Sequence, residues 1–221
     1  IGYLPAVLPC GQIDPIEIQM HVLTVLDHPN PKSFSAAIAR EFCAGAQNAG
    51  HTTELVDLHA EKFDPRWSMA DIEGDASGKA PTDIRVEQER IDRADAIGFV
   101  FPLFWWGMPA MTKGWIDRVW TWGWAYDQLD DREKSLQRSR TGVLLVPAGA
   151  RSDEMEELGY TAAVETAWID GTFGYFGFAS RELVLLNGST GSPERRAALL
   201  ERAFQAGTSL SVPNQAQTVK R

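Results

Sequence analysis

The chain has 221 residues, a mass of 24.5 kDa and a formal net charge of −9. A composition of 44% hydrophobic and 23% charged residues suits one globular domain and excludes wholesale disorder. The acidic balance excludes nucleic acid as the main partner, because phosphate backbones call for a basic field, and it excludes a polybasic membrane anchor.

Residues 1–19 show no periodicity and are punctuated by Pro5, Pro9 and Pro15. They read as an N-terminal extension without a signal-peptide core, with Met20 as the expected natural start. His21 to Leu26 (HVLTVL) predicts a buried strand that ends at Asp27-His28-Pro29. Phe34, Ile38 and Phe42 recur at four-residue spacing and predict a helix closing at Asn48-Ala49-Gly50. Thr52 to Leu58 predicts a second strand. A polar excursion with one short helix then runs to Pro81, followed by an exposed helix over Thr82 to Arg93. Ala96 to Phe101 (AIGFVF) predicts a third strand, stopped by Pro102. Pro109 opens a helix with Met111, Trp115 and Val119 on one stripe. Thr141 to Val146 is the fourth strand, Thr161 to about Phe176 a helix, and Arg181 to Leu186 the fifth strand. Pro193 to Ala206 forms the last helix, and residues 211–221 a polar tail.

Continuous apolar strands alternating with helices imply an α/β fold: a doubly wound, five-stranded parallel sheet with helices on both faces, spanning residues 20–210. In such sheets ligands bind beyond the carboxyl ends of the strands. The longest uncharged stretch, Ala96 to Thr112, is broken by Pro102 and Pro109 and is too short to span a bilayer. Cys10 and Cys43 make neither a disulfide framework nor a zinc site and point to a reducing cytoplasm. No glycine-rich dinucleotide fingerprint follows the first strand, and no nucleophile–base pair stands out. A cofactor is therefore expected to carry any chemistry.

Three loops follow the strand ends. In the first, His28, Lys32, Ser33 and Ser35 surround a helix start, which suits a phosphate; plain N-capping by Ser33 is the alternative. The second, Pro102-Leu103-Phe104-Trp105-Trp106-Gly107-Met108-Pro109, carries three consecutive aromatics, which suit either a planar ligand or packing. Six of the eight tryptophans fall between Trp105 and Trp124. The third, Ala148-Gly149-Ala150-Arg151, can bring backbone amides close to a ligand, or can be a tight turn. A flavin nucleotide would need all three parts.

With those residues in view, the chain resembles the NAD(P)H:quinone oxidoreductases of DT-diaphorase type, within the flavodoxin-like fold. The resemblance rests on His28 with Ser33-Phe34-Ser35, on Phe101 to Ala110 running into Lys113-Gly114-Trp115-Ile116-Asp117-Arg118-Val119, and on Gly149. It implies a homodimer with FAD (or FMN) near the subunit interface, NAD(P)H as hydride donor, and a quinone or similar flat acceptor using the same place in turn. By position, His28, Ser33, Phe34 and Ser35 would hold the pyrophosphate. Pro102, Leu103, Phe104, Trp105 and Trp106 would line the isoalloxazine, and Ala148, Gly149 and Ala150 its pyrimidine edge. Tyr126 would line the acceptor pocket, with Trp122 and Trp124 as its roof. The family's tyrosine and histidine beyond the glycine loop are Met155 and Thr161 here, so Tyr160 is the candidate for proton handling. Two further readings stay open: a regulatory subunit of a potassium-efflux transporter, as among some bacterial relatives, and a flavodoxin-type electron carrier.

Overall fold

The computed structural model describes residues 18–129 and 132–213. The expected extension before Ile18, Cys10 with it, and the tail after residue 213 lie outside the described residues. In chain order the elements begin β1 (His21–Leu26), α1 (Phe34–Asn48), β2 (Thr52–Asp57), α2 (Met69–Ser77), α3 (Thr82–Arg93), β3 (Ala96–Val100) and α4 (Ala110–Val119). They continue β4 (Tyr126–Leu129), β5 (Arg132–Ser135), β6 (Thr141–Ala148), α5 (Ser152–Glu157) and α6 (Tyr160–Val164). A π-helical stretch, Glu165–Phe173, leads to α7 (Gly174–Phe176), β7 (Ser180–Asn187) and α8 (Pro193–Thr208).

Five strands pair in parallel in the order β2-β1-β3-β6-β7, with the buried β1, β3 and β6 in the middle. The order reverses at β1 and β3, so a crevice opens at their carboxyl ends. Side chains of one strand alternate between two cores. Leu23, Val25 and Phe99 face Trp115, Val119 and Phe173, while Val22, Leu26 and Val100 face Ile38, Phe42 and Leu199. This double burial explains why the central strands β1, β3 and β6 read as nearly unbroken apolar runs. On the second face α1 and α8 meet through glycines. A Cβ at Gly45 would lie 2.0 Å from the Phe204 carbonyl, and one at Gly207 2.1 Å from that of Phe42.

Buried ion pairs tie the first face together. Arg118 donates to Asp71 Oδ1 at 2.9 Å and to the Asp64 carbonyl at 2.7 Å, and it also pairs with Asp83. Glu87 accepts from Trp115 Nε1 at 3.0 Å, and burial pushes its carboxyl up. No helix among the described residues is long and apolar enough to cross a membrane.

Three features differ from the sequence expectation, the first being the short helix α5, Ser152–Glu157, where no helix was expected before Thr161. The β4–β5 pair is an antiparallel addition outside the main sheet, in a polar stretch that has no apolar alternation to announce it. The helix expected over Thr161 to Phe176 changes its winding after Val164. An i→i+5 winding brings residues five apart toward one face, and Trp168 and Phe173, both buried, are five apart.

Candidate active site

The three expected loops converge at the carboxyl edge. Leu103 N–H donates to the Pro147 carbonyl at 2.9 Å, which ties the aromatic loop to the end of β6. Between them lies a cleft of about 150 Å³ lined by Leu103, Trp105, Trp106, Ala148, Gly149 and Ala150. Clefts that engulf a ligand run to roughly 300–1,000 Å³, so this one suits one face or edge of a planar group.

The aromatic loop is a tight turn. Phe104 and Gly107 exchange backbone hydrogen bonds, with Gly107 N–H to Phe104 O at 2.8 Å. Its two central residues, Trp105 at φ +50° and Trp106 at φ +56°, both adopt the left-handed conformation. Turns of this shape favour Asn and Gly, because a Cβ there costs about 1–2 kcal/mol per residue. Trp105 is nonetheless 91% exposed and Phe104 54%. Neither the backbone nor the core asks for tryptophan here, and such strain concentrates at functional sites. Trp106 is braced by the ring of Tyr160, at 4.7 Å between centroids, which brings Tyr160 to the platform. Pro102 is half-buried at the strand end.

The opposite rim is open backbone. A Cβ on Gly149 would meet nothing closer than Thr190 Cγ2 at 3.8 Å, so the fold does not use the missing side chain. The amides of Gly149 and Ala150 make no hydrogen bond among the described residues. Arg151 is engaged with Asp153 two residues on. Met155 is fully buried and so belongs to the core.

At the first loop Ser33 caps α1, its Oγ accepting from Ala36 N–H at 3.1 Å. The capping reading therefore holds, and it does not exhaust the site. The amides of Phe34 and Ser35 have no partner among the described residues, so the helix start still offers donors. Asn30 N–H donates to His28 Nδ1 at 3.0 Å, which leaves Nε2 as the N–H donor of the neutral ring. Phe34 lies half-buried beneath Arg196, whose guanidinium sits 4.5 Å from the ring centre.

Sequence reasoning missed three partners here. Asp27, 3% exposed, accepts at Oδ2 from Thr112 N–H at 2.8 Å and Thr112 Oγ1 at 2.6 Å, and lies 2.9 Å from His59 Nε2 at Oδ1. It thereby caps α4 from the end of β1 and fixes the aromatic loop's exit. Asp27 directly after a buried strand was the available signal; His59, Thr112 and Arg196 gave none.

Other expected neighbours lie elsewhere within the chain. Tyr126 packs edge-on to Trp122 and Tyr175 and lines a separate cleft of about 640 Å³ with Trp120, Gly171 and Phe176. Trp122 and Trp124 line a third cleft within the chain, with Trp122 packed against Tyr126. No cluster of potential metal ligands occurs among the described residues.

Comparison with known proteins agrees with this architecture. A family model described as a flavodoxin-like fold matches residues 20–209. An uncharacterized NAD(P)H oxidoreductase of Haemophilus influenzae is 31% identical over 188 residues, 84% of this chain and 93% of its own length. A ribosyldihydronicotinamide dehydrogenase [quinone] of Pongo abelii is 29% identical over 172 residues, 70% of this chain and 71% of that protein. The solved NAD(P)H:quinone oxidoreductase of Methanothermobacter marburgensis superposes with a TM-score of 0.80 at 34% identity, covering 88% of this chain and all of that one. Sheet order, the three edge loops and these relatives together show that the chain belongs to the flavodoxin-like NAD(P)H:quinone oxidoreductase family.

Proposed function

We propose that the protein is a flavin-dependent oxidoreductase that takes hydride from NAD(P)H and reduces a quinone or another flat acceptor, donor and acceptor using one place in turn. The observation that carries this reading is the strained, exposed Trp105–Trp106 pair facing the unpaired Gly149 and Ala150 amides across one cleft. The chemistry a bound flavin supplies is two-electron transfer between nicotinamide and acceptor.

The chain's own contribution is binding and electrostatics. Trp105, Trp106 and Leu103 offer an apolar face that excludes water from one side of a planar ring. The Gly149 and Ala150 amides are donors fixed in place before any charge develops, which makes them effective against negative charge on the pyrimidine edge. The α1 amides, the Ser33 and Ser35 hydroxyls and His28 Nε2 would hold phosphate. FAD is the form we favour, since Arg196 stacked on Phe34 adds a cation beside that seat. Tyr160, held against Trp106, is the proposed group for proton handling.

Tyr126 would reach an acceptor site only from a second copy, so the proposal includes a homodimer with Tyr126, Tyr175 and Phe176 at its contact face. The test is the visible spectrum of the purified protein, followed by acid release and identification of any chromophore. Flavin bands near one equivalent per chain, bleached anaerobically by NADH or NADPH, are expected. A colourless protein that takes up neither FAD nor FMN would overturn the reading. Trp105→Ala is expected to weaken flavin binding about tenfold, and Trp67→Ala not at all, because Trp67 is exposed and does not line the cleft.

A further inference from the structure

Asp27 stands where two of the three site loops meet. The next residue, His28, belongs to the proposed phosphate seat. Thr112, which Asp27 holds, lies in the first turn of α4, directly after the aromatic loop. The sheet fixes the backbone here: Asp27 N–H donates to the Val100 carbonyl at 2.9 Å, and Leu58 N–H to that of Leu26 at 3.0 Å. The side chain therefore projects from a rigid point. At 3% exposure it is a buried charge, which a fold tolerates only while its hydrogen bonds are kept.

Capping alone would not require this arrangement. A helix is normally capped by the residue before its first turn, whose side chain accepts from the second or third amide. α4 is preceded by Pro109, which has no side-chain acceptor, and its third amide, that of Thr112, is taken by a carboxylate 85 positions away. The Thr112 hydroxyl doubles the contact at 2.6 Å, and His59 Nε2 lies 2.9 Å from the other carboxylate oxygen. Between Thr112 and the turn that Gly107 closes, the chain is short and stiff. Pro109 is buried with its φ fixed by its ring, and Met108 packs against the core. At its other end the loop is tied through Leu103 N–H to Pro147. Trp105, left-handed and with almost no packing of its own, depends on these two ties.

We infer that Asp27 is a positioning residue: through the Thr112 amide and hydroxyl it sets where the Trp105–Trp106 platform stands relative to the phosphate seat at His28 and Ser33. A ligand with a flat ring at one end and phosphate at the other is sensitive to that spacing. The inference rests on the flavin reading for its ligand. The platform geometry can be read without any ligand, because the rings of Trp105 and Trp106 lie 6.2 Å apart at 57°, close and tilted enough to couple in far-ultraviolet circular dichroism.

The test compares Thr112→Val, which keeps the volume and loses the hydroxyl, with Thr112→Ser, which keeps the hydroxyl and loses a methyl. The full-length proteins are measured by circular dichroism without bound chromophore and then titrated with FAD. Each spectrum minus that of its Trp105→Phe counterpart isolates the exciton couplet of the pair, which the wild type is expected to show. Thr112→Val is expected to diminish the couplet and to bind FAD about tenfold more weakly. Thr112→Ser is expected to keep the couplet and to bind FAD within about twofold of the wild type. Both substitutions alter a buried side chain and are expected to lower the melting temperature by a few degrees, so a purely structural part for Thr112 would impair both alike. A wild type without the couplet, Thr112→Val with wild-type couplet and affinity, or Thr112→Ser as impaired as Thr112→Val would each overturn the inference. If the wild type takes up no flavin, the flavin reading fails, and the couplets of the two variants alone decide this one.

Discussion

Trp105 and Trp106 hold two adjacent left-handed backbone positions, and exposure leaves Trp105 almost no packing to offset the strain. Glycine at position 105 would relieve that strain while loosening the unfolded chain. Trp105→Gly is thus expected to leave stability unchanged or raise it by up to about 1 kcal/mol, while flavin affinity falls about tenfold. Thermal melts beside flavin titration separate the two effects. Gly149 is the complementary case, because space rather than strain marks it. Gly149→Val is expected to keep the melting temperature within a few degrees and to abolish flavin uptake, since the added methyls enter space that no protein atom claims. Loss of fold together with flavin would instead make Gly149 structural. The residues of both loops were legible in the sequence because they sit directly beyond apolar strand ends. Asp27's partners were not, since Thr112 lies 85 positions away and only the parallel register of β1 and β3 brings them together.

The elements around the site are held by buried charge as well as by apolar packing. Burial by itself would push the Asp71 carboxyl up. Hydrogen bonds from the Ser68 hydroxyl and amide, with the charge of Arg118, outweigh it and hold the group below the usual carboxylate range. A carboxyl lowered on folding contributes stability above its unfolded value, about 3.9, and loses it as the pH falls through the folded value. Asp71→Asn is expected to cost about 3 kcal/mol near neutrality, because it strips a buried partner from Arg118. Its denaturant midpoint should also change less than the wild type's as the pH drops below about 4. A variant with the wild-type acid profile would show that Asp71 does not carry this term. The order of helices and strands was readable from periodicity. The exceptions were the β4–β5 pair, whose polar residues carry no period, the short helix α5, whose six residues bury only Met155, and the π-helical stretch, whose five-residue spacing differs from the helical repeat sought in the sequence.

At the scale of the whole molecule, one chain holds the platform and the amide rim together but keeps Tyr126 in a cleft of its own. A dimer is expected by sedimentation equilibrium at micromolar concentration, and flavin content should fall as dilution produces monomer. A monomer with full flavin content would remove the second copy from the site. The sequence by itself determined the five strands of the main sheet, their alternation with helices and the three edge loops. Double burial writes continuous apolar runs, and ligand-facing loops carry residue types that a core does not need. Tertiary structure alone decided which loops meet, that Trp105 and Trp106 turn outward, that Asp27 ties β1 to α4, and that Trp122 and Trp124 face a different cleft. Those relations depend on strand order and backbone conformation between segments far apart in the chain, and no local pattern of residue types encodes them.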